Sequence, residues 1–244
     1  MKKYIILLAA CAMLSLGVSG AYATGVNVGV NTWYTQWKLT PTDNFKSDPS
    51  LMYGPVLGVD LAKGWTLTSV LLTGNFKVPM PDVNDSFNYR RYDSDTALNY
   101  SLLKWLKIFG GVKYMRYEGE KEGNLLMPFE GGYFTHASIG PALGVGVTLP
   151  VTESLFALVN FSGMYLWGKE KLPGNPTEKF IESGYNATLS LAYYIASYST
   201  TLIAGVRYQY FKMDFDSSSI GENENRFYGI TASVVYNFNI GSDG

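Results

Sequence analysis

Apolar and polar residues alternate along most of this chain, most regularly over residues 133–149. Because successive side chains of a β-strand point to opposite sides, a period of two predicts a strand. One face of this segment is apolar and carries no charge, whereas the other is small or polar. A small, polar face would make a poor dry core. We therefore expect the apolar face to meet lipid and the polar face to line a lumen.

The same alternation returns about ten times, in segments long enough to cross a bilayer at a tilt. The predicted strands are 24–38, 51–61, 65–77, 89–103, 106–117, 133–149, 154–167, 181–194, 200–213 and 226–240. Very short turns alternate with longer polar loops, among them 78–88. This predicts an all-β fold, a membrane-spanning antiparallel up-and-down β-barrel, with eight or twelve strands as alternatives to ten. In the third strand, the alternation assigns Val70, Leu72, Gly74 and Phe76 to the outer face.

Short stretches of sequence recur in the same order. Residues 54–59 (GPVLGV) recur as 140–145 (GPALGV), and residues 111–114 (GVKY) recur as 205–208 (GVRY). Either strands two to five are duplicated as strands six to nine, or strands of simple composition resemble each other by chance. Pro55 and Pro141 each remove a ladder donor in mid-strand, so we expect a bulge or irregular pairing at both.

The first 23 residues have the pattern of a cleaved signal peptide. Lys2 and Lys3 precede an apolar stretch, and residues 21–23 (AYA) form an A-x-A cleavage site. Cleavage there leaves 24–244 as a single barrel domain. The alternatives are an uncleaved transmembrane helix and lipoprotein processing at Cys11. Because Cys11 is the only cysteine, cleavage after Ala23 also removes any possibility of a disulfide.

Composition supports a membrane β protein. The formal net charge of −1 offers no basic field for nucleic acid. Charged residues make up only 16% of the chain, while aromatic residues reach 15%, and Gly is abundant. A disordered chain would need the opposite balance.

Seven charged residues of the predicted strands fall on the polar face, namely Asp60, Arg91, Asp93, Asp95, Lys113, Glu182 and Arg207. A Lys or Arg on the lipid face at the bilayer midplane costs about 2–4 kcal/mol, so the opposite assignment is unfavourable. The same reasoning predicts that Val206→Arg is tolerated less well than Gln209→Arg. A network of inward charged residues of both signs either serves only to pair the buried charges with one another or lines a narrow pore that selects small solutes. The predicted lumen network consists of Asp60, Arg91, Asp93, Asp95, Lys113, His136, Glu182 and Arg207.

Aromatic residues cluster toward the strand ends on the lipid face, where they predict two interfacial girdles. At the loop end these are Tyr34, Tyr53, Tyr92, Tyr133, Tyr185 and Tyr228. At the turn end they are Trp65, Tyr100, Tyr193, Tyr236 and Phe238.

In this pattern the chain resembles the Gram-negative outer-membrane β-barrel superfamily of small porin-like and opacity-like proteins. Residues 235–238 (VYNF) resemble the C-terminal signal read by the barrel assembly machinery, although residues 239–244 follow where a terminal aromatic is usual. The resemblance implies an outer-membrane protein with long loops outside and termini in the periplasm. It also implies folding with periplasmic chaperones, and a monomer surrounded by membrane lipid and lipopolysaccharide.

Three functions fit such a barrel. It could be a structural protein or narrow passive channel, a surface adhesin acting through the acidic loops 118–132 and 214–225, or an outer-membrane hydrolase. Residues 93–95 (DSD) loosely resemble the paired aspartates of omptin-type proteases, and residues 136–138 (HAS) resemble the His-x-Ser of lipid A deacylases. The aspartate–histidine pair of the omptins is missing around His136, the only histidine. We therefore expect no enzyme and, without a metal cluster or nucleotide fingerprint in the sequence, no cofactor.

Overall fold

The computed structural model describes residues 25–40, 46–80, 85–119, 134–171, 175–216 and 223–239. Ten antiparallel strands close into one barrel, in which sequence neighbours pair and the first strand pairs with the last. This confirms the predicted fold class. The predicted signal peptide, 1–23, lies outside the described residues. The strands are β1 Gly25–Thr40, β2 Ser50–Ala62, β3 Trp65–Met80, β4 Asp85–Ser101, β5 Leu106–Gly119, β6 Thr135–Pro150, β7 Leu155–Lys171, β8 Glu178–Ile195, β9 Thr200–Phe215 and β10 Asn223–Asn239.

The two ends of the barrel differ in their connections. At the turn end, the strands are joined by residues 63–64, 102–105, 151–154 and 196–199. The first residue of β1 and the last residue of β10 also lie at this end, where they pair with each other. At the loop end, the connections are 41–49, 81–84, 120–134, 172–177 and 216–222. Gly64 holds the tightest turn with φ of 80°, a value that favours glycine. No helix among the described residues is long and apolar enough to cross a membrane.

Several strands extend further toward the loop end than the alternation predicts. The β3–β4 ladder continues to the pair Met80 and Asp85, so the connection is 81–84 and the predicted bounds 78–88 are too wide. Backbone hydrogen bonds hold a ladder together without regard to side-chain polarity. The strands therefore continue after their side chains cease to alternate.

Side chains alternate between an outer apolar face and an inner face along the barrel wall. Leu143 is 70% exposed and Ile230 is 61% exposed on the outer face, whereas Arg91 and Lys113 on the inner face are buried. Isolated exposed apolar residues are common on soluble proteins, but a continuous apolar belt marks an interaction surface. In nine strands the inner and outer faces agree with the predicted ones.

The strand β3 is the exception, and its predicted faces are wrong. Leu72 is 4% exposed and Phe76 is fully buried in the lumen, while Trp65 and Leu71 lie on the outer surface. The inner face of β3 is polar near the turn end and apolar near the loop end. The prediction failed because it assumed a lumen that is polar along its whole length.

Both mid-strand prolines interrupt a ladder without shifting its register. In β2–β3, Tyr53 pairs with Thr73 and Val56 pairs with Val70, so Pro55 lies opposite Leu71 without a ladder pair. In β6–β7, the same interruption places Pro141 opposite Tyr165. The expectation of irregular pairing is confirmed at both positions. The shared interruption also supports a duplication of strands two to five.

The glycine before each proline leaves room for a neighbouring carbonyl. A Cβ at Gly140 would overlap the carbonyl oxygen of Tyr165, and one at Gly54 would overlap that of Leu71. Each of these carbonyls lies opposite a proline, which offers it no N–H. The same close approach occurs at Gly111 and Gly229, which no proline follows, so the glycine accommodates the carbonyl whether or not a proline comes next.

We predict that Gly140→Ala lowers the free energy of unfolding by about 1–3 kcal/mol, because the new methyl group meets backbone that cannot move independently. Gly163→Ala is the matched control, since a Cβ there meets nothing within 4 Å. Urea unfolding of both variants in lipid vesicles measures the difference. Equal stability of the two variants would contradict the close approach at Gly140.

Candidate functional site in the lumen

Charged side chains from three strands meet in the middle of the lumen. The Asp93 carboxylate lies between two cations, since Arg91 Nη2 donates to its Oδ2 at 2.5 Å and Lys113 Nζ donates to its Oδ1. Lys113 Nζ also lies 2.9 Å from Asp95 Oδ1. With Arg207 from β9, these residues form what we call the central charged layer. Charges removed from water in this way need close partners, and Asp93 provides one for two cations.

The central charged layer spans the lumen from wall to wall. In the closed strand order, β4 and β9 lie five strands apart in either direction and so face each other across the barrel. Arg91 Nη2 donates to Gln209 Oε1 at 2.8 Å, and Arg207 Nη2 donates to Asp95 Oδ2 at 3.0 Å. These two hydrogen bonds join opposite walls of the barrel.

Aromatic rings cover both arginines of this layer. The guanidinium carbon of Arg91 lies 4.0 Å from the ring centroid of Phe227, and that of Arg207 lies 4.6 Å from the ring centroid of Trp33. A cation over a ring in a desolvated site gains about 2 kcal/mol or more. The prediction from sequence omitted Trp33 and Phe227, although their inward positions on β1 and β10 follow from the alternation.

Toward the loop end, the lumen is filled by an apolar layer. The Trp37 ring stacks on Tyr117 and Phe227 at centroid distances of 5.4 and 5.7 Å, and Phe76 meets its edge at 6.0 Å. Trp37 Nε1 donates to Asn225 Oδ1 at 2.7 Å, so its polar atom is satisfied. The buried members of this layer are Trp33, Trp37, Met52, Leu72, Phe76, Val78, Met115, Tyr117, Met164, Leu166, Phe211 and Phe227.

His136 and Glu182 belong to a second polar cluster, on β6, β7 and β8. His136 Nδ1 lies 3.0 Å from Glu170 Oε2, and its Nε2 lies 3.8 Å from Glu182 Oε1. The imidazole ring stacks on Phe180 at 4.2 Å. Ser138 Oγ donates to Glu182 Oε2 at 2.6 Å. Glu170 and Ser138 were missing from the predicted network, although both share the inward face with His136.

The structure does not form the serine–histidine contact that the resemblance to lipid A deacylases implies. The Ser138 hydroxyl donates to the Glu182 carboxylate and not to the His136 ring. Ser138 and His136 are buried inside the barrel, away from the lipid face. Asp93 of the omptin-like pair is held by two cations. Within the described ranges, no three His, Cys, Asp or Glu side chains are grouped to hold a metal ion.

Asp60 lies apart from both clusters, near the turn end. Its Oδ1 accepts a hydrogen bond from Thr66 Oγ1 at 2.8 Å. Around it the lumen is lined mainly by neutral polar side chains, which are partly exposed and bond to neighbours on the adjacent strand. Examples are Asn160 with Thr188 at 3.1 Å and Ser233 with Asn31 at 3.2 Å. Lys107 and Phe109 of β5 also face inward there. We call this part of the lumen the polar vestibule.

The aromatic residues of the predicted girdles lie on the outer face wherever the structure describes them. Near the turn end, the ring centroids of Trp65 and Tyr100 are 4.6 Å apart, and those of Tyr236 and Phe238 are 4.4 Å apart. Tyr133 falls outside the described residues. Trp167, which the prediction did not include, is 57% exposed near the loop end. The other outward members are Tyr34, Tyr53, Tyr92, Tyr185, Tyr193 and Tyr228.

No protein-family model matches the sequence, and no curated protein matches it significantly. Solved structures do match the fold. The outer membrane protease OmpT from Escherichia coli aligns over 92% of this chain and 100% of its own, with a TM-score of 0.56 and 13% identity. The β domain of the Bordetella autotransporter BrkA aligns over 88% and 100%, with a TM-score of 0.52 and 12% identity. At such identities the likeness concerns the fold alone. The chain therefore has the fold of the Gram-negative outer-membrane β-barrels.

Proposed function

We propose that this protein is a structural outer-membrane barrel whose lumen is closed by its own side chains and which presents its loop end at the cell surface. One observation carries the proposal: hydrogen bonds from Arg91 and Arg207 cross the full width of the lumen. A passive channel needs a continuous wet path. Here the central charged layer and the apolar layer follow each other along the axis.

The exterior supports an outer-membrane location. Exposed Leu, Val and Ile side chains cover the middle of the wall, and Tyr and Trp side chains flank them at both ends. This arrangement matches the apolar band and aromatic girdles of a bilayer-spanning barrel. The polar vestibule and both termini then face the periplasm, and the loop end faces outward. Assembly by the barrel assembly machinery with periplasmic chaperones, and a monomeric state, complete the proposal.

Conductance across planar bilayers tests the closed lumen. We expect the refolded wild-type protein to carry no steady ion current. The double variant Arg207→Ala with Gln209→Ala removes both groups on β9 that reach β4, and it should conduct measurably. The control is Asn160→Ala with Thr188→Ala, because these residues bond along one wall of the vestibule and do not cross the lumen.

A steady wild-type current would overturn the closed-lumen proposal in favour of a narrow channel. Failure of the protein to insert into lipid at all would overturn its location. An adhesive role through loops 118–132 and 214–225 stays a prediction, since most of these residues lie outside the described ranges. The absence of enzymatic activity is likewise part of the proposal, and the direction of the Ser138 hydroxyl supports it.

A further inference from the structure

Basic side chains are concentrated on the outer face of the barrel near the loop end. Near the turn end, the described basic residues on the outside are Lys63 and Lys104, both in turns. The outer basic residues are therefore distributed unevenly between the two ends of the barrel. Within the described ranges, the basic belt of the loop end consists of Lys38, Lys77, Arg90, Arg116, Lys169, Lys171, Lys179, Lys212 and Arg226.

Part of this belt is neutralised by carboxylates on the same strand. Arg116 lies 2.5 Å from Glu118, and Arg226 lies 2.6 Å from Glu224. Each pair joins residues two positions apart on one outer face. These pairs account for the belt on β5 and β10 without any external anion.

Three lysines on β7 and β8 have no such carboxylate. Lys169, Lys171 and Lys179 are exposed, and none of them forms an ion pair with another described residue. Lys169 is the direct cross-strand partner of Lys179. Directly opposed side chains have Cβ atoms about 5 Å apart, and like charges at that separation are destabilising. We call these three residues the lysine patch.

The nearby acidic residues relieve the lysine patch only in part. Glu170 and Glu178 belong to the same strands but point into the lumen, where Glu170 contacts His136. Asp216 follows β9, is exposed, and its backbone N–H donates to the carbonyl of Lys179 at 3.1 Å. Its carboxylate offsets part of the charge of Lys179 but forms no ion pair with it, and it does not reach Lys169 or Lys171 across β8. An external anion would satisfy the patch.

The outer face of β7 passes from apolar to aromatic to cationic toward the loop end. Phe161 is followed by Tyr165 and Trp167, whose rings are in edge contact at 5.6 Å, and then by Lys169 and Lys171. Side chains two residues apart on a strand are separated by about 7 Å. This order of side chains matches a phosphorylated glycolipid in the outer leaflet: the apolar side chains lie at the depth of its acyl chains, the aromatic ones at its interfacial sugars and the lysines at its phosphates.

We infer that the lysine patch binds the phosphate groups of a lipopolysaccharide molecule, with Tyr165 and Trp167 against its sugar and acyl region. The inference rests on the proposed outer-membrane location, with the loop end in the outer leaflet. It commits to a membrane-embedded ligand because the patch adjoins the apolar wall and not the lumen. The glycolipid supplies both the anion and the apolar surface.

Binding of fluorescently labelled deep-rough lipopolysaccharide to the refolded protein in zwitterionic micelles tests the site. We expect the triple variant Lys169→Gln, Lys171→Gln, Lys179→Gln to bind about 10–100-fold more weakly than wild type, because each lysine near an anionic surface contributes appreciably. The control is Lys63→Gln with Lys104→Gln at the turn end, for which less than about a twofold change is expected. Lipopolysaccharide with its phosphates removed should bind wild type as weakly as the triple variant binds the intact form.

Unboiled gel mobility establishes that each variant is folded. Equal affinities of the triple variant and the turn-end control would overturn the site, as would undiminished binding of the dephosphorylated form. Displacement of the glycolipid by millimolar inorganic phosphate would also overturn it, in favour of a general anion site. These outcomes are independent of the bilayer recordings, so a folded, non-conducting barrel that fails this test leaves the structural function intact.

Discussion

Asp93→Asn is expected to lower the free energy of unfolding by about 3–5 kcal/mol, the range for removing one partner of a buried ion pair. Asp93 and its two cations are removed almost completely from solvent. Asparagine keeps the size of the side chain but leaves Arg91 and Lys113 without their shared counter-charge. Asp95 is already engaged by Lys113 and Arg207, so it compensates only in part. Urea unfolding of the refolded protein in lipid vesicles measures the loss.

Asp60→Asn is the control for this prediction. Asp60 is also an inward carboxylate, but its hydrogen-bond partner is the neutral Thr66. A second variant separates charge pairing from shape: adding Arg91→Met to Asp93→Asn should recover part of the loss, because Asp93 is the carboxylate that pairs with Arg91, whereas Lys113 keeps Asp95. If Asp93→Asn and Asp60→Asn lower the free energy of unfolding by the same amount, the central charged layer does not stabilise the barrel as described.

The strand pattern was readable from the sequence because lipid imposes a uniform demand on one face. Every second residue of a bilayer-spanning strand must be apolar, so alternation located all ten strands and the outer face of nine. Charge placement followed from the same demand. Asp93, Lys113 and Arg207 could only be inside, and all three are.

The interior was harder to predict, because no comparable rule fixes what lies inside. Leu72 and Phe76 belong to the apolar layer in the lumen. Because they are apolar and alternate with polar residues, the alternation alone assigns them to the lipid face. Contacts across the barrel depend on which strands face each other and at what height. The Arg91–Gln209 bond joins residues more than a hundred positions apart, and only strand number and register bring them together.

The separation of His136 and Glu182 from the central charged layer has the same origin. The sequence assigns all eight predicted charged or polar residues to inner faces, but it does not give their positions along the barrel axis. Register places His136 opposite Glu170, near the loop end, and leaves Asp60 near the turn end. The eight residues therefore divide into the central charged layer, the histidine cluster and an isolated aspartate.

Val206→Arg is expected to cost about 2–4 kcal/mol in a bilayer, because it places a guanidinium on the lipid face near mid-depth. Val206 is 52% exposed on the outer face and pairs with Leu189 and Ile230, which are also outward and apolar. No polar group of these partners is available to the new charge. The fraction of protein that reaches the heat-modifiable folded band in lipid vesicles, and its urea unfolding, measure the effect.

The choice of control for Val206→Arg depends on the interior. Alternation alone suggests Gln209→Arg as a tolerated inward change, but Gln209 is buried and accepts a hydrogen bond from Arg91, so a second guanidinium there would meet the first. Ser190→Arg is the better control, since Ser190 pairs with Gly205 beside Val206 and faces the polar vestibule. Its guanidinium can reach water through the turn end. If both arginine variants fold equally well in lipid, the apolar outer face does not lie in a membrane, and the proposed location fails with it.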